Sequence, residues 1–208
     1  MTLSAEKRQE EIAVKFSNHY KMGRLIWKKM ESNDMMLRKR LYFLGNLTPD
    51  LLGSFLFRQH SYTSCGSRLR KLLRRLIDGD IARSSVLFSF YSGIISHYVC
   101  DFLCFAHTTS FKGNVRDHHG YEKKQVVRAD DMLPFNVQRS MNFSYSELIL
   151  GIESCVDKRE QMLSKSICVS ILDIPLAVYA AIWVASALYL HAEQLSAPEV
   201  MPSQLMSA

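Results

Sequence analysis

The sequence has little of what marks a secreted, disulfide-bonded protein. Its 208 residues include five cysteines, an odd number, which are widely scattered and form no Cys-x-x-Cys pair. Such a set is a poor basis for a disulfide framework and favours a reducing compartment. The opening stretch MTLSAEKRQEE is polar and charged and lacks the apolar segment of a secretory signal. We therefore expect a cytoplasmic protein, with the membrane surface as a further place of action.

The sequence also lacks a clear membrane-spanning segment. The strongest candidate, residues 175–190, is an uncharged run of 16 residues, whereas a spanning helix needs roughly 20. Extending the run back to Ile167 adds the charge of Asp173. These features predict a buried last helix, with membrane association through residues 167–190 as the alternative.

Signs of β-structure and of repeats are missing as well. Alternating polar and apolar runs are rare, and long segments instead space apolar residues at helical intervals. We predict an all-α fold, a single-domain helical bundle over residues 1–195 followed by a flexible tail over 196–208. The predicted helices lie at about residues 5–32, from Pro49 onward, over the leucines of 69–76, and at about 81–106, 116–127, 144–165 and 167–193.

Positive charge is in excess. The net charge is +6 and the isoelectric point is near 9.1, which favours anionic partners such as a lipid surface, phosphate esters or nucleic acid. The run RLRKLLRRL, residues 68–76, could dock on anionic lipid or nucleic acid. The alternative is that its basic residues form a solvated helix face.

Two pairs of polar residues have the spacing of metal ligands. His97 and Asp101 are four residues apart, and His118 and Glu122 repeat that spacing, so each pair shares one face of a helix. Imidazole and carboxylate together suit zinc. Either pair alone could be an ordinary ion pair, but four of the seven histidines fall within residues 97–119. This concentration favours a metal site.

Alternatives stay open at neighbouring positions. His119 shares a helix face with Glu122 and could replace His118. Cys104 lies on the face of His97 and is either a rival ligand or a small packing residue. The side chains predicted to orient the imidazoles are Asp117 and Tyr121.

The stretches HYVCDFLCFAH and HHGYE together resemble the core motif of the zinc-dependent phospholipase C family, which is related to nucleases that cut single-stranded nucleic acid. The family pattern is a histidine, an aspartate four residues on, a histidine six after that, and later a histidine with a glutamate four residues on. Upstream, GNLTPDLLG resembles the family segment with a metal-binding aspartate. The resemblance covers about residues 15–125. The metal ligands that it implies are His19, Asp50, His60, His97, Asp101, His107, His118 and Glu122.

The resemblance implies a cluster of two or three zinc ions between the core helices. Secreted family members begin with a tryptophan that helps to hold one ion, whereas this chain begins MTLSAEK. A site with two zinc ions is therefore predicted as readily as a site with three. The implied grouping is one ion with Asp50, His60, His97 and Asp101, a second with His107, His118 and Glu122, and a third held by His19 with Asp101 as a bridge.

The implied activity is phospholipase C-like hydrolysis of a phosphodiester by a metal-activated water. Asp50 would orient or deprotonate that water. The implied partners are a phosphodiester substrate, above all a phospholipid, and an anionic membrane surface, with nucleic acid less favoured and no oligomeric state predicted. The alternative is a non-catalytic helical protein in which the same residues hold a structural zinc or a polar cluster.

Overall fold

The described part of the chain folds into helices alone. The computed structural model describes residues 5–31, 37–51, 60–78, 85–125, 143–165 and 169–196. These residues form seven α-helices, one short 3-10 helix and no strand, which confirms the predicted all-α fold. The α-helices are α1 (Ala5–Glu31), α2 (Lys39–Leu51), α3 (Tyr62–Ile77), α4 (Ser85–Leu103), α5 (Val115–Lys124), α6 (Tyr145–Ser164) and α7 (Val169–Ser196), and the 3-10 helix is Phe105–His107.

Capping side chains fix the starts of α5 and α6. Asn114 accepts a hydrogen bond from the amide of Asp117 at 3.1 Å, and the Asp117 carboxylate accepts one from the amide of Asn114 at 3.0 Å. Ser144 and Glu147 form the same reciprocal capping box before α6. Each box satisfies amides that have no partner inside the helix. The start of α5 is therefore set one turn before His118.

Helix α4 lies in the middle of the bundle, where it packs against α2, α3, α6 and α7. Every residue from 92 to 104 is buried. Two of these residues, His97 and Asp101, have side chains that can carry a charge near neutral pH, and burying such groups without partners is costly. They are partners of each other, and their further partners come from segments packed around α4.

Two glycines let α2 and α4 approach each other backbone to backbone. A Cβ atom added at Gly45 would lie 1.9 Å from the carbonyl oxygen of Phe90, and one added at Gly93 would lie 2.1 Å from that of Tyr42. Side chains at either position would push the helices apart. The close crossing brings the carbonyl of Asn46 to His97, one turn beyond Gly93.

The second helix differs from the prediction. The predicted start near Pro49 is wrong, because α2 starts at Lys39 and holds Pro49 in its last turn; the rest of that predicted helix, beyond Leu51, lies outside the described residues. Proline has no amide hydrogen for the carbonyl of Gly45, so it costs one hydrogen bond near the helix end without stopping the helix earlier. The Thr-Pro pair indicated the start of a helix. In the structure, the packing of Tyr42 and Gly45 against α4 extends the helix further toward the N-terminus. Asp50 thus lies at the C-terminal end of α2. The other predicted helices are confirmed to within a few residues where they are described.

The leucine-rich helix α3 presents a basic face to solvent. Its predicted apolar stripe is confirmed, since Leu69, Leu73 and Leu76 are buried and Leu72 is partly buried. The side chains of Arg74 and Arg75 are exposed, and they lie over the rings of Tyr145 and Tyr91, with ring-centre distances of 4.9 and 5.3 Å. Docking of this face on an anionic surface stays a prediction.

Two described helices are long and apolar enough to cross a membrane, by length and composition. These segments are Val86–Leu103 and Leu172–Gln194, and 78% and 61% of their residues, respectively, are buried inside the fold. Core helices of a bundle have the same composition, so the segments are weak grounds for a membrane span. The predicted burial of the last helix is confirmed for the inner face of α7. Membrane association through residues 167–190 stays a prediction, and the proposed tail beyond residue 196 lies outside the described residues.

Candidate metal centre

The eight predicted ligands meet at one place inside the bundle. Seven of them are buried, and His118 is partly exposed. Residues more than 100 positions apart are thereby neighbours. The elements that supply them are α1 (His19), α2 (Asp50), the residue pair before α3 (His60), α4 (His97 and Asp101), the 3-10 helix (His107) and α5 (His118 and Glu122).

Asp101 is the centre of what we term the first ligand group, which comprises His19, Asp50, His60, His97 and Asp101. Its Oδ2 atom lies 2.9 Å from Nδ1 of His60 and 3.0 Å from Nε2 of His97. Its Oδ1 atom lies 3.0 Å from Nε2 of His19 and 3.6 Å from Nε2 of His107. One carboxylate therefore faces four imidazoles and can bridge neighbouring cations.

Asp50 faces three of these imidazoles at a longer distance. Its Oδ1 atom lies 3.9 Å from Nδ1 of His60 and 3.9 Å from Nε2 of His97, and its Oδ2 atom lies 3.9 Å from Nε2 of His19. These separations exceed a hydrogen bond. Among the described residues, Oδ2 of Asp50 has no hydrogen-bond partner although it is buried. Such a carboxylate oxygen is suited to a cation or a water.

The second ligand group, His107, His118 and Glu122, lies beside the first. Oε1 of Glu122 is 2.9 Å from Nε2 of His118 and 3.6 Å from Nε2 of His107. The side-chain amide of Asn18 donates to the backbone carbonyl of Glu122 at 2.9 Å and so ties α1 to α5. A small cavity between the two groups leaves about 10 Å³ for a water-sized sphere, which is room for about one water or ion.

The ring of His97 is oriented as metal-binding imidazoles usually are. Its Nδ1 atom lies 2.8 Å from the carbonyl oxygen of Asn46. A carbonyl oxygen can only accept a hydrogen bond, so Nδ1 carries a hydrogen and donates it. Nε2 then points at Oδ2 of Asp101 and, at 3.2 Å, at Nδ1 of His60. Metal-binding histidines typically donate the other ring hydrogen to a carbonyl or carboxylate in this way.

The carboxylates of the first ligand group favour the binding of cations. Burial alone would lower the pKa of His19, but the charge and hydrogen bond of Asp101, aided by Asp50 and Glu122, raise it to about 9. Burial and the nearby charge of His19 lower the pKa of His97. Burial would raise the pKa of Asp101, yet the charges of the surrounding histidines hold it well below its usual value. The buried carboxylates therefore attract positive charge, as protons or as metal ions.

The donor set and its spacing fit zinc. Three sets of side chains each place one ligand atom within 4.8 Å of the others. Two ligands of one tetrahedral zinc, each about 2.1 Å from the ion, lie about 3.4 Å apart. The nitrogen–oxygen distances of 2.9–3.9 Å in both ligand groups bracket that value. The three sets are His19, Asp50 and His97; His60, His97 and Asp101; and His107, His118 and Glu122.

Some neighbours of the ligands have other roles than predicted. The expectation that Asp117 orients an imidazole is wrong, because its carboxylate closes the capping box of α5. The hydroxyl of Tyr121 donates to Asp173 and not to a histidine. The thiol of Cys104 is buried, which raises its pKa, and its sulfur lies 3.8 Å from the side-chain nitrogen of Gln125. The side chain of His119 lies outside the described residues.

Sequence reasoning did not predict the contacts of two polar groups in this region, the backbone carbonyl of Asn46 and the carboxylate of Asp173. The carbonyl of Asn46 belongs to the backbone, so no residue type signals it. Asp173 stood out only as a charge in an apolar helix, and nothing local connects it to residues 105–125.

Comparison with known proteins gives one match. The model of the family described as zinc dependent phospholipase C matches residues 18–167, well over half of the chain. No curated protein and no solved structure matches the chain in the corresponding comparisons. The matched segment contains all eight predicted ligands and ends before α7.

Proposed function

The chain belongs to the zinc-dependent phospholipase C family, and from this premise we propose that it hydrolyses phosphodiester bonds of phospholipids with zinc. One observation carries the proposal. The buried carboxylate of Asp101 faces four imidazoles, and the second ligand group adjoins it. A structural zinc site needs only one closed set of four ligands, so eight converging ligands favour a catalytic cluster.

The roles of the residues follow from their positions. Zinc, when bound, supplies a water of lowered pKa and positive charge for the phosphate oxygens. The first ligand group would hold one ion, with His97 fixed by the carbonyl of Asn46, and the second ligand group would hold another. Hydrolysis would join the oxygen of a water to phosphorus and break the phosphorus–oxygen bond to the glycerol, with one proton of the water ending on the glycerol oxygen. His19, which lies between Asp101 and Asp50, would join the first ion or hold a third.

Metal removal tests the proposal directly. We expect two or three zinc ions per purified chain, complete loss of phosphodiesterase activity after chelation, and recovery on adding zinc. Elemental analysis gives the count, and the substrates are a soluble short-chain phosphatidylcholine, a dinucleotide and a simple aryl phosphodiester. Circular dichroism after chelation serves as the control for fold. A folded protein without metal contradicts the proposal, and bound zinc without hydrolysis of any of these diesters supports the structural alternative.

A separate prediction concerns Asp50. Because one of its oxygens is buried without a hydrogen-bond partner among the described residues, we propose that it orients the attacking water or takes its proton. Asp50→Asn keeps an oxygen ligand but cannot accept a proton, so at saturating zinc kcat should fall by about 10²–10⁴-fold, with little change in KM. Full recovery of kcat at saturating zinc would show that Asp50 is only a ligand.

A further inference from the structure

A buried carboxylate outside both ligand groups joins several elements of the bundle. Asp173 lies in the first turns of α7 and is 0% exposed. Its Oδ2 atom accepts hydrogen bonds from the backbone amide of Phe105 at 2.9 Å, from the side-chain amide of Gln125 at 2.9 Å, and from the hydroxyl of Tyr121. Its Oδ1 atom accepts one from the guanidinium of Arg159.

Arg159 extends this network to the end of α4. Its side chain is buried, and its Nε atom donates to the carbonyl oxygen of Leu103 at 3.1 Å. Leu103 is the last residue of α4, two positions after Asp101. The pair of Asp173 and Arg159 thus contacts the backbone on both sides of the turn that leaves α4.

The partners of Asp173 flank the second ligand group in sequence. Phe105 begins the 3-10 helix that ends at His107. Tyr121 directly precedes Glu122, and Gln125 follows the last residue of α5. We propose that Asp173, with Arg159, is a positioning residue that holds His107, His118 and Glu122 in register to bind the second metal ion.

The short length of α5 makes such an anchor necessary. The helix has 10 residues, too few to be stable in isolation. Its place in the bundle depends on specific contacts, which include the hydrogen bond that Asn18 donates to Glu122, the one from Tyr121 to Asp173, and the one from Gln125, directly after the helix, to Asp173. Without Asp173, the C-terminal end of α5 would lose these hydrogen bonds to α7.

Stability alone accounts poorly for this ion pair. Burial raises the pKa of Asp173 in spite of the Tyr121 hydroxyl, the Phe105 amide and the Arg159 guanidinium. Removing two charges from water costs about as much as their attraction returns, and apolar pairs often replace such pairs without loss of stability. The hydrogen bonds of Asp173 to three separate segments are directional, so the pair fixes the relative positions of those segments.

Two substitutions with one matched control test the inference, which rests on the proposed zinc site but not on catalysis. Asp173→Asn weakens all four contacts. Tyr121→Phe removes one hydroxyl and leaves the other three donors on Asp173, so it should fold even where the first variant does not. The control is Tyr62→Phe, which removes a similar hydroxyl–carboxylate bond, to Glu153 between α3 and α6.

The readout is stepwise binding of zinc to metal-free protein by calorimetry, with cobalt absorption spectra as a second measure. We expect Tyr121→Phe and Asp173→Asn to weaken binding of the second ion by about tenfold or more, to leave the first ion unchanged, and to alter only the cobalt bands of the second site. Tyr62→Phe should bind both ions as the wild type does.

Equal weakening of both ions, unchanged binding in both variants, or the same loss in Tyr62→Phe would overturn the inference. A wild-type protein that never takes up a second ion would overturn it as well. Two bound ions without phosphodiesterase activity would count against the proposed function alone.

Discussion

Asp101→Asn is expected to abolish phosphodiester hydrolysis and to strip the site of metal. The carboxylate lies within 3.6 Å of imidazole nitrogens from four histidines. An amide has the same shape but no charge, and its nitrogen cannot bind a cation. Metal ions supply several kcal/mol of transition-state stabilisation, so activity should fall by at least about 10³-fold. The measurements are zinc per chain and the initial rate on a short-chain phospholipid.

The control for this result is Asp117→Asn on α5. It makes the same chemical change at an exposed carboxylate whose oxygen accepts the amide hydrogen bond of Asn114, and the asparagine oxygen can still accept that bond, so the cap of α5 is kept. We expect metal content and rate close to those of the wild type. If Asp101→Asn keeps its full zinc content, or loses no more activity than Asp117→Asn, then Asp101 is not the bridging ligand that its contacts suggest.

Local patterns were enough to predict most of the helices. The leucine spacing in α3 depends on a few neighbouring residues, and the structure confirms it. Pro49 shows where such reasoning fails. A proline after a threonine is typical of a helix start, but contacts with α4, which is distant in sequence, decided that α2 begins ten residues earlier.

The candidate site likewise has a part that the sequence predicts and a part that it does not. Spacing alone places His97 and Asp101 on one face of a helix, and the resemblance to a family adds ligands from elsewhere in the chain. Contacts set by the tertiary fold have no comparable signal. The Asn46 carbonyl meets His97 only because two helices cross closely, and Asp173 reaches α5 only because α7 packs beside it. Composition indicated that Asp173 was unusual, but not what it contacts.

The crossing of α2 and α4 therefore leads to a prediction with a large effect on stability. Gly93→Ala would place a Cβ atom 2.1 Å from the carbonyl oxygen of Tyr42 and 2.7 Å from the amide nitrogen of Asn46. Both are backbone atoms, so the helices must separate. Overpacking of this kind outweighs the gain in helix propensity, and the free energy of unfolding should fall by about 2 kcal/mol or more. Denaturant titration of metal-free protein measures this change.

Separation of the helices should also weaken zinc binding, because the hydrogen bond from His97 to Asn46 spans the same crossing. Gly120→Ala is the matched control, since a Cβ atom there meets nothing within 4 Å and alanine favours the helix. We expect that variant to gain up to about 1 kcal/mol in the free energy of unfolding and to bind zinc normally. Equal stability of the two alanine variants would mean that α2 and α4 can move apart without cost. If Gly93→Ala is destabilised but binds zinc with wild-type affinity, the close crossing serves packing and does not position His97.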